Sequence, residues 1–190
     1  MIFGFSVLLG LLSGLLFKGR LENLISIQFR HSYLVLVSIF IQLVIFNRYW
    51  DQLVPVQFIT NIAYFLALVL IYIFLTMNFS IRGMKLIAIG TLLNGVAIFS
   101  NKGSMPTSYE AFSKVFPEQA NALITGNIVY NSKLIDSSTH FKYLCDIFWV
   151  PTWFPMANVF SIGDVFICIG AFFLIYKTMT SYPHKQSHVY

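Results

Sequence analysis

The sequence predicts an all-α membrane protein: one bundle of five transmembrane helices with a long extracytoplasmic connection. Three observations predict it. Of 190 residues, 57% are hydrophobic and only 10% are charged, against roughly 25% charged in a soluble domain. Five apolar runs alternate with short polar breaks. The mean hydropathy of +0.75 fits a chain solvated by lipid. A single membrane domain over 1–180 and a polar tail over 181–190 follow from the length.

The first span is 1–17. It carries no charge, and Lys18-Gly19-Arg20 follows it. A cleaved signal would place its positive charges before the apolar run, so the expectation is an uncleaved span with its N-terminus outside. Ser6, Gly10 and Gly14 recur every four residues, a small face that lets another helix approach closely. Leu21–His31 reads as a short interfacial connection. The second span, 32–46, holds Gln42 for an interhelical hydrogen bond. It closes on Asn47-Arg48-Tyr49-Trp50-Asp51, whose aromatic rings suit the headgroup layer. Pro55 breaks the chain before the third span, 58–77. Arg82 and Lys85 precede a short fourth span, 86–99, with Asn94 inside it.

Asn101-Lys102-Gly103-Ser104-Met105-Pro106 is a firm helix stop. Asn94 and Asn101, seven residues apart, share nearly one helix face. The connection 101–158 is too long and too apolar for a plain loop. Thr107 or Ser108 caps a short helix through Phe116, with Glu110 in its first turn. Pro117 ends that helix, and Glu118–Ile124 adds another turn or two. Asn127–Ser138 is polar and turn-like. Phe141–Met156 crowds aromatics, two prolines and Asp146 together, as a re-entrant or interfacial segment does.

The last span, 159–177, carries Asp164 near its start. A carboxylate in such a run is a functional candidate by default. It equally suits a helix cap, because free N–H groups point at helix starts. A ligand- or proton-handling role and a partner-docking role stand beside the cap.

Charge fixes the orientation. Sorted by alternate loops, one side holds seven Lys and Arg with a single Glu. The other holds five of each sign. The basic side is cytoplasmic by the positive-inside rule, which puts the C-terminus inside and the long connection outside. The end of the fourth span then meets the start of the fifth at the outer face. Asn94, Asn101, Gly103 and Met105 come from one, Ser161, Gly163 and Asp164 from the other, and Asp146 folds in from the connection. That outer polar cluster is the candidate site for a ligand or partner.

Other chemistries fare worse. No basic stripe with interleaved aromatics points to nucleic acid. Cys145 and Cys168 form neither a disulfide framework nor a metal spacing. His184 and His188, four apart, lie in a terminal segment where disorder outweighs a metal pair. Cys145, His140 and Asp136 or Asp146 make a nucleophile–base set only on paper, and no catalytic or cofactor motif is present. No inverted repeat supports a transporter. The leading expectation is a non-enzymatic accessory or binding protein without cofactor or metal. Its partners are the lipid bilayer and either another membrane protein or a lipid or small molecule. Small-molecule, lipid or ion handling comes second, and a membrane enzyme third.

Three motifs add a family likeness. NKGSMP at 101–106, FKYLCDIFWVP at 141–151 and NVFSIGDVFICIG at 158–170 stand in that order after four spans. In this the chain resembles a bacterial family of integral membrane proteins catalogued as Domain of Unknown Function 5317. Its members look like five-helix proteins with an N-G-G-x-M-P-like stop, a G-D element before an aromatic stretch, and F-S-x-G-D opening the last span. The resemblance implies roles for Asn101, Gly103, Met105, Pro106, Asp146, Ser161, Gly163 and Asp164. It implies a bacterial cytoplasmic membrane and no particular activity. Two positions depart: Lys102 where a Gly is expected, and Cys145 where a Gly is expected before the Asp.

Overall fold

The computed structural model describes residues 2–47, 57–125, 132–154 and 156–181. Readings that fall on 48–51, Pro55, 126–131, Pro155 and the 182–190 tail, with its two histidines, lie outside the described residues. The chain is mostly helical. Among the described residues the helices are α1 (Ile2–Leu16), α2 (Glu22–Ile25), α3 (Tyr33–Ile45), α4 (Gln57–Met77), α5 (Met84–Ser100), α6 (Tyr109–Val115), α7 (Pro117–Ile124) and α8 (Ile162–Thr180). Two are long and apolar enough to cross a membrane, with mean hydropathies of 2.4 over Phe58–Met77 and 1.7 over Ile162–Thr180. The helices α1, α3 and α5 are apolar but shorter, at 15, 13 and 17 residues.

The last helix sits centrally. α8 packs on α1 at one flank and on α5 at the other, while α4 lies between α5 and α3. Small residues make the two α8 seams. Gly83, which caps the start of α5, and Gly90 within it face Gly170 and Gly163 of α8, running antiparallel. A Cβ on Gly90 would collide with the Gly163 carbonyl oxygen, and one on Gly170 would come within 2.7 Å of the Gly83 carbonyl oxygen. On the other flank Ser6, Gly10 and Gly14 are the buried residues of α1, as their four-residue spacing predicts. A Cβ on Gly10 would stand 3.2 Å from the Phe172 carbonyl oxygen. Backbones this close gain many dispersion contacts at once.

The α3–α4 seam uses a polar link instead. Ser38 Oγ, fully buried, donates to the Ala67 carbonyl at 2.8 Å. Gln42 does not cross to a neighbour as its sequence context predicts. Its amide donates to Ser38 Oγ at 3.1 Å within the same helix, and the shorter residue makes the crossing because the helices are close there.

Hydrogen bonds tie the loops at one end of the bundle. The Arg20 N–H donates to the Met179 carbonyl at 2.9 Å. The Asn23 amide donates to the carbonyls of Met179 and Ser181, both at 2.9 Å. Asn78, 1% exposed, clamps the Arg30 backbone by donating to its carbonyl and accepting from its N–H.

The connection covers the opposite end. Ser108 caps α6 by accepting from the Ala111 N–H, with Glu110 in the first turn. Pro117 occupies the first turn of α7, where its missing N–H is no loss. These helices have their own core of Ala111, Phe112, Val115, Ala120, Leu123 and Val159. Two small sheets organise the rest. β1 (Met105–Thr107) pairs in parallel with β2 (Ser132–Leu134), and β3 (Phe148–Trp149) antiparallel with β4 (Val159–Phe160).

One expectation is made specific and one is corrected. The 141–156 stretch, expected as a re-entrant or interfacial segment, runs in its described residues as a 3₁₀ turn at Lys142–Leu144 and then β3, lying against the bundle through Leu144 and Phe154. And α8 starts at Ile162, not Val159. Val159 and Phe160 bond to β3 instead, so Asp164 sits in the first turn rather than inside the helix.

Candidate functional site

Where α5 ends and α8 begins, four of the predicted residues meet. Ser161 is the N-cap of α8 and Asp164 its third residue, and the two close a reciprocal capping box. The Asp164 N–H donates to Ser161 Oγ at 3.2 Å, and the Ser161 N–H donates to Asp164 Oδ2 at 2.9 Å. Asn94 reaches across from α5. Its amide donates to Asp164 Oδ1 at 2.9 Å, while Ser161 Oγ lies 2.8 Å from both Asn94 Oδ1 and Asp164 Oδ2. Gly163 permits this, because a Cβ there would strike the Asn94 side chain. Both carboxylate oxygens of Asp164 are therefore engaged in holding the helix start against α5.

Asp146 is different. Its backbone is fixed: the N–H donates to the Pro106 carbonyl at 3.0 Å, and its carbonyl accepts from the Ser108 N–H at 2.9 Å and from Thr107 Oγ1 at 3.2 Å. Its carboxylate accepts no hydrogen bond and forms no ion pair among the described residues. It opens, with Asp164, onto a cleft of about 500 Å³. Ile2 and Phe3 of α1, Tyr64 of α4, Asn158 and Phe160 complete much of the wall. Among the described residues no Lys or Arg lines it. Burial first, and the neighbouring Asp164 charge second, push the Asp146 carboxyl up to about 7. A half-buried carboxylate without a donor is costly to the fold, and so is the more informative of the two acids.

The helix stop has a supporting part. Asn101, 2% exposed, grips the backbone of His140: its amide donates to the His140 carbonyl at 3.0 Å, and its Oδ1 accepts from the His140 N–H at 2.9 Å. It therefore anchors the connection and does not join Asn94 at the carboxylates. Gly103 turns at φ 86°, packed on Asn61. Met105 and Pro106 are buried in β1, where Pro106 holds the Asp146 backbone.

The profile of the Family of unknown function (DUF5317) matches residues 26–176. The chain belongs to this family. An uncharacterized protein of Thermotoga maritima is 26% identical over 191 residues, covering 98% of this chain and 96% of the relative. No solved structure matches the chain.

Within the DUF5317 pattern, both departures can now be placed. Lys102 sits at φ 64°, a left-handed conformation that glycine adopts without strain. Cys145 is extended and fully buried, so nothing in its backbone requires glycine. Burial, then the Asp146 charge, pushes its thiol up to about 11, and its Sγ turns to the Phe141 carbonyl at 3.5 Å. That is an inert thiol rather than an activated nucleophile. Asp136 is occupied in its own exposed loop, where the Ser138 hydroxyl donates to Oδ1 at 2.7 Å. Among the described residues, no group of three His, Cys, Asp or Glu side chains converges as metal ligands.

Sequence reasoning missed the aromatic and polar walls of the cleft: Phe3, Tyr64, Asn158 and Phe160. The signal that exists is positional. Phe3, Asn158 and Phe160 each lie within three residues of the end of a predicted span and line the cleft with Asp164.

Proposed function

We propose that this chain is a five-span protein of the bacterial cytoplasmic membrane, N-terminus outside, that binds a small organic cation in its outer cleft. It acts as a binding protein rather than an enzyme. The observation that carries the reading is the Asp146 carboxylate, free of any donor among the described residues, facing Asp164 across a cleft of about 500 Å³. Ligand sites usually enclose roughly 300–1,000 Å³.

The lining argues for the chemistry. Two acids with no Lys or Arg among the described wall residues favour a positively charged guest. Phe3, Tyr64 and Phe160 in the wall supply aromatic and apolar surface for the body of such an ion. Two carboxylates are too few for a protein-ligated metal ion, which takes roughly four to eight ligands. A ligand N–H would supply the donor that Asp146 lacks.

The membrane setting is supported by the outer surfaces of the helices. Leu36, Phe40 and Leu43 of α3 are each 67% exposed and Phe58 of α4 is 70% exposed. Such contiguous apolar surface suits lipid rather than water. The one-sided excess of Lys and Arg supports the orientation, because those residues gather at the Met179 end of the bundle and the cleft lies at the other.

The test is a titration of the purified protein in detergent with a panel of alkylammonium ions, followed by intrinsic fluorescence. Saturable binding that falls at least about tenfold in Asp146→Asn is expected. No saturable change, or equal affinity in the variant, refutes the reading.

A further inference from the structure

The opposite end of the bundle holds a second charged feature, unrelated to the cleft. Basic residues from three separate segments gather around the last turn of α8. Lys18 and Arg20 follow α1, and the Arg20 N–H is bound to the Met179 carbonyl at 2.9 Å. Arg82 comes from the α4–α5 turn, and its guanidinium reaches Ser181 Oγ at 3.4 Å. Lys85 lies one helical turn further into α5, and Lys177 stands on α8 itself. Lys18, Arg20, Arg82 and Lys85 are exposed. Among the described residues Glu22 is the single acid nearby, and its contact with Arg20 is solvent-exposed on both sides, so it neutralises little.

The surface beside this cluster is apolar. Leu16, Phe17 and Ile25 are 81%, 68% and 88% exposed. Large side chains exposed next to Lys and Arg define the height at which acyl chains give way to headgroups. The C-terminal carbonyls of α8 at this spot are already taken by the Arg20 N–H and the Asn23 amide, so among the described residues the Arg20 and Arg82 guanidinium groups meet only the exposed Glu22 carboxylate and the Ser181 hydroxyl, both at 3.4 Å.

We infer that the Met179 end of the bundle is a binding surface for the headgroup of an anionic phospholipid, with Arg20 and Arg82 gripping its phosphate from two sides of α8. Charge complementarity selects the occupant, because a zwitterionic headgroup brings its own cation to the site. This rests on the membrane reading given above, but not on the cleft.

The experiment uses the full chain purified from membranes and presented with equal phosphatidylglycerol and phosphatidylcholine in mixed micelles, with retained lipid counted by native mass spectrometry. Wild-type protein retains phosphatidylglycerol preferentially. A basic residue at such a surface is worth roughly fivefold in affinity, so Arg20→Gln with Arg82→Gln cuts the preference roughly 30-fold. The control pair Lys102→Gln with Lys142→Gln removes the same charge at the cleft end and leaves the preference intact. Equal retention of the two lipids, or a preference lost equally in both double variants, overturns the inference. Alkaline carbonate extraction separates the failures: a chain that leaves the membrane overturns the membrane reading as well, and a chain that stays embedded without lipid preference overturns this inference alone.

Discussion

Asp164 offers a substitution pair with opposite expected outcomes. In Asp164→Asn the geometry can be rebuilt without moving a backbone atom. The introduced carbonyl keeps the Ser161 N–H and hydroxyl, now 2.9 and 2.8 Å from Oδ2. Its amide then faces Asn94, whose own amide stands 2.9 Å from Oδ1. Rotating the Asn94 amide by half a turn brings its oxygen to accept from the new amide and its nitrogen to donate to Ser161 Oγ. Every bond is restored, and the loss is the charge at a helix start, about 0.3–1 kcal/mol. In Asp164→Ala the Ser161 N–H and the Asn94 amide lose their acceptor together. Leaving two part-buried donors unmatched costs about 2–4 kcal/mol. Thermal unfolding in detergent micelles, followed by near-ultraviolet circular dichroism, measures both. The expected result is a near-native Asn variant and an Ala variant less stable by about 2 kcal/mol or more. An Asn variant as damaged as the Ala variant would show that the charge, not the hydrogen-bond pattern, holds α8 in place, and the capping account would fail.

Three further outcomes are expected. Asp146, whose folded carboxyl is raised to about 7, binds its proton more tightly folded than unfolded, so its contribution favours the fold below the unfolded carboxylate range near pH 4 and turns into a cost as pH rises towards 7. Asp146→Asn therefore stabilises the protein at pH 8 and changes little at pH 4; equal effects at the two pH values would contradict the assignment. Gly90→Ala drives a methyl into the Gly163 carbonyl and costs about 1–3 kcal/mol, whereas Gly95→Ala meets nothing within 4 Å and gains about 1 kcal/mol of helix propensity; unfolding curves giving both variants the same sign would contradict the seam. Lys102→Gly relieves the left-handed backbone at φ 64° and raises stability by up to about 1 kcal/mol, and a loss of stability would mean that the lysine side chain supports the turn.

The helices were readable and their partners were not. Each apolar run became a helix within three residues of its expected limits, because an uninterrupted apolar stretch with Gly or Pro at its end has few alternatives. Which face of each packs inward was hidden, since helices apolar on all sides carry no stripe to read. Only the small residues of α1 gave their face away, because nothing larger fits the seam with α8. The error at Val159 has a similar cause. Two residues of strand are fixed by β3, ten residues upstream, and leave no period of their own. Ser161, Asp164 and Asn94 stand out in the sequence because polar side chains in apolar runs are few. Helical spacing groups Asn101 with them, but the helix ends there and its side chain turns to the His140 backbone. Tyr64 and Phe3 were invisible among 20 Phe and 10 Tyr.

The measurement that tests the central claim most directly is native mass spectrometry of the protein released gently from its own membrane. The account expects wild-type protein to carry a small cationic molecule, Asp164→Asn to keep it, and Asp146→Asn to lose it. A wild-type chain bare of any such molecule, or one retained undiminished by Asp146→Asn, would contradict it.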